Sequence, residues 1–381
     1  MTSLQQQVAR MFCIGFDGYH MPPEVAELID RGVGSVILFK RNFSSPQQAL
    51  ELTASLKERA GTRPLLINVD QEGGRVMRLT AAAGATPIPS MRILGRANDL
   101  DLTRQIGQIL AREMRAINID QVNAPVLDVD TNPANPVIAD RSFGPSPELV
   151  SRHGVALLQG IQGESVAACG KHFPGHGDTA QDTHFSLPHL PHDLDRMERI
   201  ELPPFRAAIH AGVAAIMSAH LIYDRLEPAG LPATMSAPIM QGILRDHLGF
   251  TGVTYTDDLE MRAIHDNFGI GQVVRSVANA SVDVLCVCHT PALQSQAIDE
   301  LVQAVERGQV KRELIEAANR RLDTLASRYY RPPVRGKVSP IIGCDAHQRI
   351  VDRIHELAGS PATTSPDPTA VMDHLVKQKS R

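Results

Sequence analysis

The sequence of 381 residues predicts a single (β/α)8 barrel. Eight short apolar runs, each ending in polar or glycine-rich residues, occur at residues 11–17, 33–39, 64–70, 121–128, 166–173, 214–221, 252–258 and 282–288. Segments with helical periodicity lie between them, at residues 46–59, 102–117, 147–161, 203–210, 237–247 and 272–280. Runs that are apolar on both faces are typical of parallel strands covered by helices. Eight such strands alternating with helices are the pattern of this barrel.

A doubly wound open sheet is the alternative that a count of strands leaves open. The first apolar run leads into FDGYHMPPE, which is neither a dinucleotide-binding fingerprint nor a P-loop. The main functional reason to prefer an open sheet is therefore missing. We predict one barrel domain over residues 1–335, followed by an extension over residues 336–381. Within that extension, residues 347–357 have the pattern of a short helix, and GSPATTSPDP at 359–368 is typical of a linker or a disordered segment.

Composition excludes several classes of partner. A net charge of −4 gives no electrostatic reason to expect nucleic acid or an anionic membrane, and no window approaches 18 uninterrupted apolar residues. The amino terminus lacks the pattern of a secretory signal, and the five cysteines have no zinc-like spacing. We therefore expect a cytoplasmic protein with reduced thiols, a monomer or weak homodimer, and no cofactor.

Polar side chains stand where five of the predicted strands end. They are Asp70, Asp128, Lys171 with His172, His220, and Asp257 with Asp258, and the loop after the fourth strand adds Arg141. Each has an ordinary structural interpretation, such as a helix cap for Asp257 or Asp258, a surface pair with Asp140 for Arg141, or a solvated rim charge for Lys171. Together they favour a site, because a barrel places its chemistry at the carboxyl ends of its strands.

The segment KHFPGHGDTAQDTHFSLPHL, residues 171–190, has four histidines in twenty positions. A metal site, an acid–base site and an ordinary polar loop all remain possible. Proline and glycine separate the histidines of HFPGH, so they are no helical i, i+4 pair, which disfavours a metal. For acid–base chemistry, Asp257 is the better carboxylate nucleophile. His184 could donate the proton, because Asp182 shares its side of an extended segment.

These residues resemble the β-N-acetylglucosaminidases of glycoside hydrolase family 3. The family signature is KH(F/I)PGHG, four variable residues, then D(S/T)H. Here KHFPGHG begins at Lys171, and DTH begins at Asp182 after four residues. Further family blocks follow the family order: IGFDG, DQEGGRVMRL, DRSFG, LPPFRAAIHAGVAAIMSAH and GFTGVTYTDDLEM. The resemblance covers about residues 5 to 330.

The resemblance implies a (β/α)8 barrel that hydrolyses terminal β-linked N-acetylglucosamine with retention. Asp257 matches the nucleophile and His184 the acid/base, with Asp182 as its partner. The positions that bind the sugar are matched by Asp70, Arg78, Arg141, Lys171 and His172. The implied substrate is a carbohydrate, in bacteria a 1,6-anhydro-muropeptide of cell-wall recycling, with no metal or cofactor. A phosphorylase of the same fold and a non-catalytic sugar-binding protein remain as alternatives.

Overall fold

Eight parallel strands close into a barrel in the computed structural model, which describes residues 3–179 and 187–359. The barrel strands are Phe12–Ile14 (β1), Ser35–Leu38 (β2), Leu66–Val69 (β3), Gln121–Val122 (β4), Ala167–Phe173 (β5), Ala215–Ser218 (β6), Val253–Asp258 (β7) and Val284–Val287 (β8). Each strand pairs with its neighbours along the chain, and β1 pairs with both β2 and β8. The predicted (β/α)8 barrel is therefore confirmed, and the open sheet is excluded.

Helices surround the barrel. They are Leu4–Ala9 (α1), Pro23–Arg31 (α2), Pro46–Ala60 (α3), Met91–Ala97 (α4), Leu100–Arg115 (α5), Pro147–Gly163 (α6), Leu194–Arg199 (α7), Leu202–His210 (α8), Arg262–His265 (α9), Ile270–Asn279 (α10), Pro291–Glu306 (α11), Arg312–Tyr329 (α12) and Asp345–Ala358 (α13), with a π-helix at Pro238–His247. Local chemistry explains where α3 begins. The Ser45 hydroxyl accepts from the backbone of Gln48, and Pro46 occupies the first helical position, where no donor is needed.

The strands are buried on both faces, as their continuous apolar runs predict. Among the residues of the eight described strands, all are buried except Asp257 and Asp258 at the carboxyl end of β7. The barrel interior is thus a packed core of side chains. The two strand residues that are only partly buried lie at the end where the βα-loops begin.

The fourth strand is shorter than predicted. Its apolar run extends over residues 121–128, whereas the regular strand β4 ends at Val122. Pro125 has no N–H to donate to a ladder, so the pairing is interrupted there. Backbone hydrogen bonds to β5 continue from Ala124, Pro125 and Leu127, and Val126 forms an isolated bridge with Lys171. This irregular stretch delivers Asp128 to the carboxyl end of the barrel.

The carboxyl-terminal extension lies against the barrel. The helix predicted over residues 347–357 is confirmed as α13, which packs on α4 and α5. The predicted linker at 359–368 lies outside the described residues from position 360 onward. The domain boundary at residue 335 stays a prediction. In the part of the chain that the structure describes, no helix is both long and apolar enough to span a bilayer.

Candidate active site

A cavity opens at the carboxyl ends of the barrel strands. It holds about 690 Å³ of space not filled by protein atoms, part of it open to solvent. Its wall includes six of the residues singled out in the sequence: Asp70, Arg78, Arg141, Lys171, His172 and Asp257. The closed barrel thus brings together side chains that are far apart in the chain.

One wall of the cavity is a network of buried ion pairs around Lys171. Its ammonium lies 2.9 Å from Asp70 Oδ1 and 2.7 Å from Glu72 Oε1. Arg78 donates to the other oxygen of Asp70 at 3.0 Å. Arg141 donates twice to Glu72, through Nε at 2.9 Å and Nη2 at 2.8 Å. All five side chains are buried, so the network holds a fixed geometry.

Charge pairing determines the protonation of this network. Burial alone would raise the pKa of Asp70, but the charges of Lys171 and Arg78 outweigh it and hold that pKa well below its usual range. Burial likewise opposes ionisation of Glu72, yet Arg141 and Lys171 lower the pKa of Glu72 to about 2. The carboxylates therefore stay ionised at neutral pH and act as hydrogen-bond acceptors.

His172 is oriented by Asp128. Its Nδ1 lies 2.7 Å from Asp128 Oδ2, and its Nε2 lies 3.2 Å from Arg141 Nη2. Since the guanidinium only donates, Nε2 accepts and the ring proton is on Nδ1, donated to Asp128. Asp128 also accepts from the backbone of His176, which anchors the start of the histidine-rich segment to the fourth strand end.

The two carboxylates at the end of β7 have different surroundings. Asp258 Oδ1 accepts from the backbone of Glu260 and Cys288, and its Oδ2 lies 3.0 Å from His289 Nε2. Burial opposes ionisation of Asp258, but His289 outweighs it and lowers that pKa. Asp257 lines the cavity as Asp258 does, and its carboxylate accepts from the Asp258 backbone at 2.8 Å. Because both oxygens of Asp258 have protein partners, Asp257 is the better candidate for contact with a ligand.

Apolar side chains form another part of the cavity lining, which we call the apolar wall. Its side chains are Ile37, Phe39, Met217, Met261, Cys286 and Cys288. Phe39 packs beside the His289 ring, with 5.4 Å between ring centroids, and the Arg41 guanidinium lies 4.2 Å from the Phe39 ring centroid. The cavity therefore pairs charged hydrogen-bonding groups with a hydrophobic surface.

Several ordinary interpretations of the predicted site residues are wrong. Lys171 is a buried member of the network, not a solvated rim charge, and Arg141 pairs with Glu72 while Asp140 pairs with Arg75. Neither aspartate of β7 caps a helix, because α9 begins after Met261 without a side-chain cap.

Two further histidines, His220 and His176, are buried, and His176 also lines the cavity. The ring of His220 is buried between Thr234 and the backbone oxygen of Asp258. His176 lies 3.0 Å from the hydroxyl of Thr179, and burial lowers its pKa to about 4. The predicted acid/base His184 and its partner Asp182 lie outside the described residues.

Glu72 and His289 are site residues that sequence reasoning missed, and Asp128 was noted there without a role. Glu72 had a signal, because it stands two positions after Asp70 and alternate residues of an extended segment share a side. His289 had none, because it follows an apolar strand whose polar end resembles an ordinary loop.

The arrangement suits a polyhydroxylated ligand. Each hydroxyl group of a sugar donates one hydrogen bond and accepts others, and the network offers alternating cationic donors and carboxylate acceptors. Asp257 adds an ionisable oxygen positioned beside, and not within, that network. A carboxylate so placed can act as a nucleophile toward a bound glycoside.

Comparison with known proteins is consistent with this chemistry. Residues 3–325 match the Glycosyl hydrolase family 3 N terminal domain. A β-hexosaminidase of Nitrosomonas eutropha is 40% identical over 280 residues, which span 72% of this chain and 78% of that protein.

Solved structures agree. A family 3 β-N-acetylglucosaminidase from Paenibacillus sp. FPU-7 is 40% identical with a TM-score of 0.90, covering 94% of this chain and 69% of that one. Native NagZ from Neisseria gonorrhoeae is 31% identical with a TM-score of 0.75, covering 92% of this chain and 98% of that one.

Proposed function

The chain belongs to glycosyl hydrolase family 3 and is a glycoside hydrolase of the β-N-acetylhexosaminidase type, and we propose that it is a retaining exo-β-N-acetylglucosaminidase. The observation that supports this most directly is the cavity. Asp257 faces its interior, beside a buried network that holds sugar-binding donors and acceptors in fixed positions. The apolar wall offers a surface for the methyl group of an acetamido substituent.

The proposed reaction has two steps. In the first, a carboxylate oxygen of Asp257 attacks the anomeric carbon, and the bond to the leaving oxygen breaks as His184 donates a proton to it. In the second, neutral His184 takes a proton from water, whose oxygen displaces Asp257 from the anomeric carbon. Asp182 would orient His184 and favour its charged form. In this scheme Asp257 is the nucleophile, and the ion-pair network around Lys171 binds the sugar.

The biological substrate we propose is a 1,6-anhydro-muropeptide of bacterial cell-wall recycling, cleaved in the cytoplasm by a monomer or weak homodimer. This rests on the family resemblance of the motif around Lys171. The charged side chains of the cavity wall also support a sugar as the bound group. Fixed charges bind a polar sugar terminus better than they bind an apolar aglycone.

A substrate panel tests the proposal. The chain should cleave an aryl N-acetyl-β-glucosaminide far faster than the matching β-glucoside, and the first product should retain the β configuration. Assays with and without phosphate separate hydrolysis from phosphorolysis, because the phosphorylase alternative would yield a glycosyl phosphate. An inverted product would contradict the covalent mechanism, and binding without turnover would indicate a sugar-binding protein.

A further inference from the structure

The carboxyl-terminal extension makes a series of specific contacts along the outside of the barrel. We call residues 331–359 the strap. It starts at the amino-terminal end of the barrel, where the backbone oxygen of Arg331 accepts from the ammonium of Lys57 at 3.0 Å. Lys57 also lies 2.8 Å from Asp120, in an ion pair that is buried at both ends. The strap is therefore attached to a buried pair and not only to the surface.

Side-chain amides then pair with the strap backbone much as a neighbouring strand would. Asn118 donates to the oxygen of Val334 at 3.0 Å and accepts from its N–H at 2.8 Å. Gln47 donates to the oxygen of Gly336 at 2.9 Å and accepts from the N–H of Val338 at 2.9 Å. Gln47 lies at the start of α3, near the catalytic end of the barrel, so the strap runs the length of the barrel wall.

At the catalytic end, the strap meets the loop that follows β3. The buried carboxylate of Glu113 on α5 accepts from the backbone of Thr86, in that loop, at 3.1 Å. The same carboxylate accepts from two strap groups, the N–H of Gly343 at 2.9 Å and Nδ1 of His347 at 2.9 Å. Glu113 thus joins the strap to the loop through one buried side chain.

That loop includes Asp70, Glu72 and Arg78, three members of the ion-pair network. Beyond Thr86 it continues into α4, and the N–H of Gly74 donates to the oxygen of Ile88 at 2.8 Å. Since α13 packs on α4, the strap covers the outer side of the segment that holds this turn in place.

We propose that the strap is a positioning element for sugar binding, with His347 and Gly343 acting through Glu113 on the loop that presents Asp70 and Arg78. The proposal rests on the proposed function, since it assigns the network to sugar binding. Loosening the strap displaces groups that contact the sugar in both the ground state and the transition state. The loss therefore falls on KM more than on kcat.

The test compares full-length His347→Ala with His347→Asn, whose amide can replace Nδ1 as the donor to Glu113. Gln348→Ala, which removes an exposed contact with Asp352 on the same helix, is the matched control. For His347→Ala we expect KM, and the inhibition constant of N-acetylglucosamine, to rise roughly 3- to 30-fold with kcat nearly unchanged. His347→Asn should restore most of the loss, and Gln348→Ala should behave as the wild type.

Amide hydrogen exchange supplies a second readout that needs no substrate. His347→Ala should speed exchange in residues 70–90 while leaving α11, on another side of the barrel, unchanged. Faster exchange confined to α13, or an unchanged KM in a folded variant, would overturn the proposal. If the enzyme acted on another sugar, the proposed function would be wrong but the exchange result would be unaffected. Failure of the proposed function and failure of the strap proposal can therefore be distinguished.

Gly343→Ala provides the same test if His347→Ala does not fold. Gly343 has a φ of +66°, and an added Cβ would lie 2.2 Å from the oxygen of Gly84. The methyl group should push the strap away from the loop and raise KM in the same way. A folded Gly343→Ala variant with wild-type KM and wild-type exchange in residues 70–90 would overturn the proposal.

Discussion

Buried charges occur at both ends of the barrel, and the two sets differ in how they are satisfied. At the amino-terminal end, Asp120 directly precedes β4 and Asp283 directly precedes β8, on opposite sides of the closed sheet. Asp120 accepts from the backbone of Ile67 at 3.0 Å, and Asp283 accepts from the backbone of Thr254 at 2.9 Å. Each carboxylate therefore ties a neighbouring strand to its own.

The two ends also differ in whether burial or charge pairing has the larger effect on the pKa of the carboxyl group. Burial raises the pKa of Asp120, and its pairing with Lys57 offsets only part of that effect. At the catalytic end, Asp70 has two cationic partners, and pairing outweighs burial. The carboxylates at the amino-terminal end also accept hydrogen bonds from backbone N–H groups, whereas the catalytic network borders a cavity. Charges of the first kind stabilise the fold, and charges of the second kind remain available to a ligand.

The largest effect on activity should come from the carboxylate that faces the cavity. Asp257→Ala should lower kcat roughly 10⁴-fold or more, because only the covalent route requires it, while sugar binding and the unfolding free energy change little. Turnover and inhibitor binding measured on the same preparation check this. An inactive Asp258→Ala beside a fully active Asp257→Ala would move the nucleophile by one residue.

His184→Ala should show an activity loss that depends on the leaving group. A disaccharide, which needs protonation of its leaving oxygen, should lose roughly 10²–10⁴-fold, whereas an activated aryl glycoside should keep its first step and accumulate the glycosyl-enzyme. The measurement is the ratio of rates for the two substrates in the wild type and the variant. An unchanged ratio would mean that His184 is not the proton donor.

A substitution among the buried charges at the amino-terminal end should lower the stability of the protein and not its activity. Asp283→Ala leaves Arg245 buried without its carboxylate partner, and should lower the unfolding free energy by about 3–5 kcal/mol. Denaturant titration measures this, and kcat/KM per folded molecule should be unchanged. Asp299→Ala, which breaks an exposed pair with Arg31, is the control and should cost less than about 1 kcal/mol. A lower kcat/KM in folded Asp283→Ala would contradict a purely structural role for the charges at the amino-terminal end.

Lys171→Met should affect both activity and stability, because Lys171 belongs to the catalytic network and is also buried. Removing its charge leaves Asp70 and Glu72 one cation short, and KM should rise roughly 10- to 100-fold from the lost charged hydrogen bonds. Steady-state kinetics and thermal unfolding of the same variant check this. A variant with altered stability but normal KM would place Lys171 among the purely structural charges.

The last prediction concerns how the stability of Glu72→Gln depends on pH. The folded protein holds the pKa of Glu72 at about 2, below its ordinary value of 4.5. The resulting stabilisation is complete above about pH 4.5 and is lost as the pH falls toward 2. The unfolding free energy of Glu72→Gln should therefore decline less steeply than that of the wild type below pH 4.5. Parallel profiles for the two proteins would contradict the charge assignment.

The sequence by itself determined the fold and part of the site. Apolar runs that alternate with helical periodicity required buried strands covered by helices, because each element must bury its hydrophobic surface. The polar residues that end those runs, among them Asp70, Lys171 and Asp257, then had to meet at one end of the barrel. The interruption of the fourth strand at Pro125 was also present in the sequence, although the count of apolar residues concealed it.

Only the tertiary structure decided which charges pair and where the extension docks. Lys171 and Asp70 are 101 positions apart, and His347 and Glu113 are 234 apart. Periodicity reports which face of an element is buried, because burial is a local property of the repeat. The partner of a charged side chain depends on which elements become neighbours when the barrel closes. It also depends on which of several carboxylates then lies within hydrogen-bonding distance. For that reason the pairing of Glu72 with Lys171 and Arg141 could not be predicted, and the contacts of the strap had no signal in the sequence.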